Sequence, residues 1–223
     1  MDVTNREQIN EGIAAAITGF GRIDVLVNNA GYGLLGPIEE ISNEDMRHQF
    51  EVNVFGPIAL IQEVLPYMRK QRSGRILNIS SIAGMQGYAG VGIYNSSKFA
   101  VEGFNAALAQ EVRHLGIYVT SIKPGPFRTN WAGESATYVA PKIDDYTESA
   151  GVRMKGIQSV NGKQPGDPEK GCQAIYTLSQ MDNPPVNLML GGIAYVRVRE
   201  RLQELLDEIN KYEYLGGPTD FDE

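Results

Sequence analysis

Hydrophobic positions along the chain follow two alternating patterns. Residues 5–20 carry an isoleucine at every fourth position (Ile9, Ile13, Ile17), and Thr4 and Glu7 have the spacing of a capping box, so a helix is predicted there. Residues 23–28 (IDVLVN) form a short apolar run. Such a run is typical of a strand that is buried on both faces of a parallel sheet.

The same succession recurs twice along the next hundred residues. A helix is predicted from residue 42 to about residue 70, followed by a strand over residues 75–80 (RILNIS). A second helix over residues 93–114 precedes a strand over residues 117–122 (IYVTSI). Strands that alternate with helices form a parallel sheet with right-handed crossovers. The predicted fold class is therefore α/β, with a doubly wound parallel sheet.

The periodic pattern weakens after Pro124. Residues 130–166 are rich in Gly, Ser, Thr and Pro and have no clear period, which favours a mobile loop over a site rather than a packed element. A helix is predicted to begin at Asp167-Pro168, followed by a strand over residues 186–190 and a helix over residues 193–212. The chain, residues 1–223, is predicted to be a single domain, and its acidic tail, residues 220–223, is expected to be solvated.

Composition and charge exclude several classes of function. The chain has 20 basic and 27 acidic residues and a net charge of -7, which argues against a nucleic-acid partner. It has no apolar run long enough for a membrane span. Cys172 is the only cysteine, so no internal disulfide is possible and a cytoplasmic location is expected. The two histidines, His48 and His114, are far apart in sequence, so no metal site is predicted.

Tyr94 and Lys98 are the strongest candidates for chemistry. They are four residues apart at the start of a predicted helix, so their side chains lie on one face. A neighbouring ammonium group is expected to lower the tyrosine pKa from its usual value of about 10 and to make the phenol a usable acid or base. The alternative is an exposed helix pair without function. Ser81 follows a predicted strand at its carboxyl end, where doubly wound sheets bind ligands.

Asn53 is a poor helix former in the middle of a predicted helix, and Pro57 has no N–H to offer its carbonyl. A kink is predicted there that leaves the Asn53 carbonyl free to hold a water molecule; a tolerated surface asparagine is the alternative. Gly31, Gly33 and Gly36 spell G-x-G-x-x-G after a strand. We reject this as a pyrophosphate fingerprint, because the next helix begins only at residue 42.

Five segments, in order and at matching spacings, resemble the short-chain dehydrogenase/reductase family. They are residues 28–31 (NNAG), 53–56 (NVFG), 80–84 (SSIAG), 94–98 (YNSSK) and 124–129 (PGPFRT). The likeness is close from residue 2 to about residue 131 and loose beyond it. It implies a Rossmann-like fold and an NAD(P)-dependent oxidoreductase that interconverts a secondary alcohol and a ketone. The style of the sequence resembles the branch of retinol, hydroxysteroid and oxoacyl reductases.

The resemblance also implies residue roles. Tyr94 would be the acid/base for the substrate oxygen, and Ser81 would hold that oxygen. Lys98 would lower the Tyr94 pKa and bind the nicotinamide ribose, and Asn53 would anchor the water of a proton relay. Residues 130–166 would be the substrate lid. The implied cofactor-binding residues, from the adenine end to the nicotinamide end, are Asp2, Val3, Asn28, Ala30, Gly31, Tyr94, Lys98, Pro124, Gly125, Phe127 and Thr129.

The implied partners are a small-molecule alcohol or ketone and a second copy of the chain. Helices over residues 43–70 and 92–114 commonly pack against another subunit in this family, which implies a homodimer or homotetramer. Three aromatic residues of the lid, Trp131, Tyr138 and Tyr146, suggest an apolar or ring-bearing substrate, although aromatic residues in loops more often serve packing.

The sequence departs from the family pattern at its start. The family's first three strands and its Thr-Gly-x-x-x-Gly-x-Gly phosphate loop would come before Asp2 and are absent from the sequence. We therefore expect an amino-terminally shortened reductase that binds dinucleotide poorly, associates through an exposed apolar edge at residues 23–28, and lacks the segment that separates NAD from NADP. A non-catalytic scaffold that acts as an interaction module is the alternative. An epimerase or dehydratase of the extended branch would need a larger carboxyl-terminal domain.

Overall fold

A computed structural model describes residues 1–221, so the predicted acidic tail lies partly outside the described residues. Within that range the strands are β1 (Val25–Asn28), β2 (Gly33–Leu35), β3 (Gly74–Ile79), β4 (Ile117–Pro124), β5 (Ala136–Tyr138) and β6 (Asn187–Leu190). The α-helices are α1 (Arg6–Phe20), α2 (Asn43–Phe50), α3 (Gly56–Gln71), α4 (Gly92–Val112), α5 (Val152–Ser159), α6 (Pro168–Ser179) and α7 (Gly192–Gly216).

A four-stranded parallel sheet with the order β1-β3-β4-β6 forms the centre of the molecule. The two inner strands are almost completely buried, polar residues included, because helices cover both faces of the sheet. On one face, Ile76 of β3 and Ile117 of β4 pack against Val64 and Met68 of α3. The predicted α/β class with a Rossmann-like doubly wound sheet is confirmed.

Helix boundaries follow the capping residues in the sequence. Asp167 accepts hydrogen bonds from two backbone N–H groups at the start of α6, and Pro168 occupies the first helical position. Ser42 caps α2 in the same way. For α1 the predicted cap is one residue off, since Asn5 rather than Thr4 accepts the first backbone N–H, that of Gln8.

The predicted helix over residues 42–70 is interrupted near its middle. Residues Glu51–Phe55 form a π-turn between α2 and α3, and Pro57 lies in the first turn of α3. Pro57 has no N–H, and the π-helical turn is wider than an α-helical turn. Both features remove regular α-helical hydrogen bonds from the carbonyls of residues 51–55. The irregularity expected at Asn53 therefore takes the form of a π-turn.

Residues 130–166 are more ordered than a loop. β5 pairs in parallel with β2, and α5 buries Met154 against Leu35 and Tyr94. The prediction of a segment without regular elements is therefore wrong for this part of the chain. Both elements are short, three and eight residues, so neither shows a period in the sequence.

Glycines after β1 serve packing rather than phosphate binding. A Cβ at Gly33 would lie 2.7 Å from the indole of Trp131, and one at Gly36 would lie 2.8 Å from the Val139 side chain. Only glycine lets these side chains approach the backbone so closely. This agrees with the rejection of the G-x-G-x-x-G fingerprint.

β1 is an edge strand of the sheet in the described part of the chain. It pairs with β3 on one side, and Val25 and Val27 keep 36% and 46% of their surface exposed. The apolar edge that the sequence predicts is therefore present, and such edges favour association. No helix within residues 1–221 is both long enough and apolar enough to cross a membrane.

Candidate active site

The candidate site lies at the carboxyl edge of the parallel sheet, where β3 ends and α4 begins. Tyr94 and Lys98 occupy the first two turns of α4, on one face, and both are almost completely buried. Ser81 follows β3 and caps a short turn over Ile82–Gly84, with its hydroxyl accepting a hydrogen bond from the Ala83 N–H. The structure therefore brings Tyr94, Lys98 and Ser81 together, and the exposed-pair alternative for Tyr94 and Lys98 is excluded.

Burial dominates the acidity of Tyr94. It raises the pKa of the Tyr94 phenol to about 12, while a hydrogen bond with the Ser81 hydroxyl acts in the opposite direction. The expectation of a lowered Tyr94 pKa is therefore wrong for the protein without ligand. The Lys98 ammonium lies 5.8 Å from the centre of the Tyr94 ring and donates its hydrogen bond to the Ile79 carbonyl, at 2.8 Å.

The pKa of Lys98 lies close to neutral pH. Burial lowers the Lys98 pKa to about 8, and the negative charge of Glu102, one helical turn further along α4, opposes this shift. Lys98 therefore changes its charge slightly above neutral pH. It is the titratable group of the site whose pKa is closest to physiological pH.

Asn53 connects the site to the segment after β1. Its side-chain amide is buried and makes two hydrogen bonds with the backbone of Tyr32, and its Nδ2 donates to the Ser97 hydroxyl at 3.2 Å. A Cβ on Gly31 would lie 3.1 Å from Asn53 Oδ1 and 3.7 Å from Lys98 Nζ. Asn53 is thus no surface residue, and Gly31 marks a close approach of backbone to the site.

A chain of buried amides supports the same edge of the sheet. Asn28 Nδ2 donates to Asn78 Oδ1 at 2.8 Å, and Asn78 Nδ2 donates to Asn105 Oδ1 at 2.9 Å. Asn28 Oδ1 is buried and has no hydrogen-bond partner among residues 1–221. Such an atom fits a polar group of a ligand, because leaving it unpaired is costly. Asn78 and Asn105 are not among the residues predicted from the sequence, although an asparagine within an apolar strand is a signal.

A cleft of about 210 Å³ opens beside Asn28. Apolar side chains form most of its wall, and the lining residues are Met1, Val3, Val27, Asn28, Asn29, Ala30, Pro57 and Leu60. Val3, Asn28 and Ala30, three of the predicted cofactor residues, are therefore brought to one cleft. Asp2 is not among the lining residues. It is exposed, and hydrogen bonds from Thr4 lower the pKa of its carboxyl group.

The predicted nicotinamide side is only partly assembled. Pro124 ends β4, and the Gly125 N–H is bonded to the last carbonyl of β6. The Phe127 ring packs in the hydrophobic cluster beneath α6, close to Gly166 and Gly171. The Thr129 hydroxyl accepts a hydrogen bond from the Trp131 N–H. In the structure, Phe127 therefore contributes to the packing beneath α6, and Thr129 stabilises a turn.

Among the three aromatic residues predicted in the lid, Trp131 reaches the site. Its ring centre lies 5.1 Å from that of Tyr94, at an angle of 51°. The Tyr138 hydroxyl donates to the Ala132 carbonyl, and the Tyr146 hydroxyl donates to Glu39. Trp131 therefore lies against the candidate catalytic tyrosine, whereas Tyr138 bonds within residues 130–166 and Tyr146 bonds this segment to Glu39.

Comparison with known proteins identifies the family. The sequence model of the family described as short chain dehydrogenase matches residues 1–139. The chain belongs to this family. A short-chain dehydrogenase from Streptomyces avermitilis, known as a crystal structure, shares 38% identity with a TM-score of 0.91 over 99% of this chain and 80% of that one.

Two further similar proteins agree with this family. The 3-ketodihydrosphingosine reductase of Bacteroides thetaiotaomicron is 36% identical over 213 residues, which are 95% of this chain and 79% of that protein. The structure titled ElxO with NADP bound shares 30% identity, with a TM-score of 0.70 over 88% of this short-chain dehydrogenase and 77% of that chain. The predicted family and the predicted class of NAD(P)-dependent oxidoreductases are therefore confirmed.

Proposed function

We propose that this short-chain dehydrogenase interconverts a secondary alcohol and a ketone, with Tyr94 as the acid/base. The observation that carries the proposal is the cluster of buried Tyr94 and Lys98 with half-buried Ser81 at the carboxyl edge of the sheet. When bound, a nicotinamide dinucleotide supplies or accepts the hydride. The described residues fit its two ends: the cleft at the unpaired Asn28 Oδ1 suits the adenosine, and Lys98 beside Gly31 suits the nicotinamide ribose.

Side chains of the protein carry out the proton transfer. During reduction the Ser81 hydroxyl holds the substrate oxygen, and the Tyr94 phenol passes its proton to that oxygen. Because burial raises the Tyr94 pKa to about 12, the phenol keeps its proton at neutral pH and is ready to donate. The Lys98 ammonium then stabilises the phenolate, and Asn53 fixes the backbone segment that carries Gly31.

The substrate proposal is a small molecule with an apolar body. Trp131 lies against Tyr94, so a substrate whose oxygen meets Tyr94 contacts an indole surface. The resemblance to a 3-ketodihydrosphingosine reductase supports an apolar ketone. In this proposal residues 130–166 form the lid of a single domain. Phe55, directly before α3, and Phe99 of α4 are exposed, which supports a homodimer or homotetramer through α3 and α4. The single cysteine, Cys172, supports a cytoplasmic location.

A binding and turnover experiment tests the proposal. The purified chain is titrated with NADH and with NADPH by nicotinamide fluorescence, and the loss of absorbance by the reduced cofactor is followed with a panel of apolar and polar ketones. We expect binding of at least one cofactor and turnover with apolar ketones. Binding of neither cofactor at millimolar concentration would reject the proposal and favour the non-catalytic scaffold.

The charge of Lys98 predicts the pH dependence of the reaction. Ketone reduction, measured as kcat/KM, is expected to fall as the pH rises through about 8, where the buried Lys98 ammonium loses its proton. Below that pH the cation stabilises the phenolate, and above it the neutral amine does not. Lys98→Arg keeps its charge throughout and is expected to remove this fall. An unchanged rate well above pH 8 in the unaltered protein would contradict the role of Lys98.

A further inference from the structure

The carboxyl-terminal helix α7 is supported by the body over its first turns only. Ala194 and Val198 are buried against Ile82, with Met85 and Met189 beside them. From Leu202 to Gly216 every residue is exposed. At 1.5 Å per residue, this half of α7 extends for about 22 Å without cover from the rest of the described chain.

The exposed half of α7 is nevertheless strongly amphipathic. From residue 202 to residue 212 its apolar side chains recur at intervals of three and four residues and fall within about one third of the helix circumference, whereas Tyr214 and Leu215 lie on the other side of the helix. We call the recurring side chains the α7 stripe: Leu202, Leu205, Leu206, Ile209 and Tyr212, each 39–56% exposed. The opposite face carries Gln203, Glu204, Asp207, Asn210 and Lys211. Tyr195, which is 42% exposed, continues the apolar face toward the body.

Such a face needs a partner. Helices in proteins take most of their stability from the packing of an apolar face, and a seam of this spacing is typical of helix–helix pairing. The exposed half of α7 has more acidic than basic residues, four against one, which disfavours the anionic surface of a membrane.

The charges along α7 indicate which partner fits. Its first half has three arginines, at positions 197, 199 and 201, against one glutamate at position 200. Its second half has four acidic residues, at positions 204, 207, 208 and 213, against Lys211. Two copies of α7 in antiparallel orientation place each basic half beside an acidic half. A parallel pair would bring the two acidic halves together, which is unfavourable.

We propose that α7 is a self-association surface, in which two copies of the chain pack their α7 stripes antiparallel. The two-fold axis then passes near Leu206. Leu202 faces Ile209 of the other copy, and Arg199 lies near Glu213 of the other copy. This surface is separate from the α3 and α4 surfaces, so a chain that uses both would assemble beyond a dimer.

Cysteine cross-linking tests the geometry directly. In a Cys172→Ser background, Leu206→Cys lies at the axis and is expected to form a disulfide-linked dimer under mild oxidation. Lys211→Cys, on the opposite helix face, is the matched control and is expected to remain uncross-linked. Leu202→Cys and Ile209→Cys are expected to cross-link when the two variants are mixed and not when each is alone. Cross-linking of each alone would indicate a parallel pair and overturn the proposal.

Sedimentation provides an independent measurement. Leu206→Glu is expected to weaken the association step that runs through α7 at least tenfold, whereas Lys211→Glu leaves that step within about twofold. Both positions are exposed, so circular dichroism should show that both variants keep the fold. Equal association of Leu206→Glu and the unaltered chain would overturn the proposal. Binding of the monomeric chain to neutral or anionic vesicles, with loss of binding in Leu206→Glu, would overturn it in favour of a membrane.

Discussion

Tyr94→Phe is expected to lower the turnover of a ketone by about 10²–10⁴-fold, which is the contribution usually made by a positioned acid or base. The substitution removes the hydroxyl that donates the proton and leaves the ring, its contact with Trp131 and the buried surroundings in place. Binding of the reduced nicotinamide is expected to stay nearly unchanged, because Lys98 and the cleft at Asn28 are untouched. Stopped-flow or steady-state assays give the turnover, and fluorescence titration gives the binding.

Tyr88→Phe is the matched control for that experiment. Tyr88 packs in the same hydrophobic cluster as Tyr94, but its hydroxyl bonds to Gln86 and has no part in the proposed proton transfer. We expect turnover within about twofold of the unaltered protein, since a partly buried hydrogen bond contributes little. Equal turnover of Tyr94→Phe and Tyr88→Phe would refute the acid/base role of Tyr94.

The parallel sheet was readable from the sequence because its signals are local. Apolar runs marked the four strands of the main sheet, and Asp167-Pro168 marked the start of α6 through capping chemistry alone. β2 and α5 were not readable. β2 has three residues and exists because β5, a hundred residues further along the chain, completes its hydrogen bonds.

The candidate site, like the fold, could be predicted from the sequence only in part. Its residues were found because Tyr94, Lys98 and Ser81 keep a recognisable spacing, and the structure brings them together. The direction of the Tyr94 pKa was wrong, because spacing reveals the neighbouring charge but not the depth of burial. Desolvation can outweigh a cation whose hydrogen bond is directed elsewhere, here to the Ile79 carbonyl.

A buried ion pair beneath the site was also missed. Lys123 of β4 has no exposed side-chain surface, and its ammonium lies 2.8 Å from the Glu102 carboxylate. It also donates to Asn187 Oδ1 and Ser121 Oγ, at 2.6 Å and 3.0 Å, and Ser121 Oγ donates to Glu102 at 2.7 Å. Lys123 lies in a strand and Glu102 in a helix, so only the fold brings the two charges together.

Glu102→Gln is expected to lower the free energy of unfolding by about 3–5 kcal/mol, because it leaves the Lys123 ammonium buried without a counter-charge. Urea denaturation measures this as a lower midpoint with an unchanged slope. The double variant Glu102→Gln/Lys123→Met removes both charges and is expected to recover most of the loss. Asp24→Asn is the control. It removes the exposed Asp24–Arg22 pair, whose side chains are 57% and 56% exposed, and is expected to cost less than about 1 kcal/mol.

The same substitution also tests the candidate site, because Glu102 raises the pKa of Lys98. In Glu102→Gln this support is lost, so Lys98 gives up its proton at a lower pH and the fall in ketone reduction is expected to begin below about pH 8. The double variant restores stability and removes both charges of the pair, so its profile should lie closer to that of the unaltered protein than the profile of Glu102→Gln does. An unchanged pH profile in Glu102→Gln would contradict the effect of the Glu102 charge on Lys98.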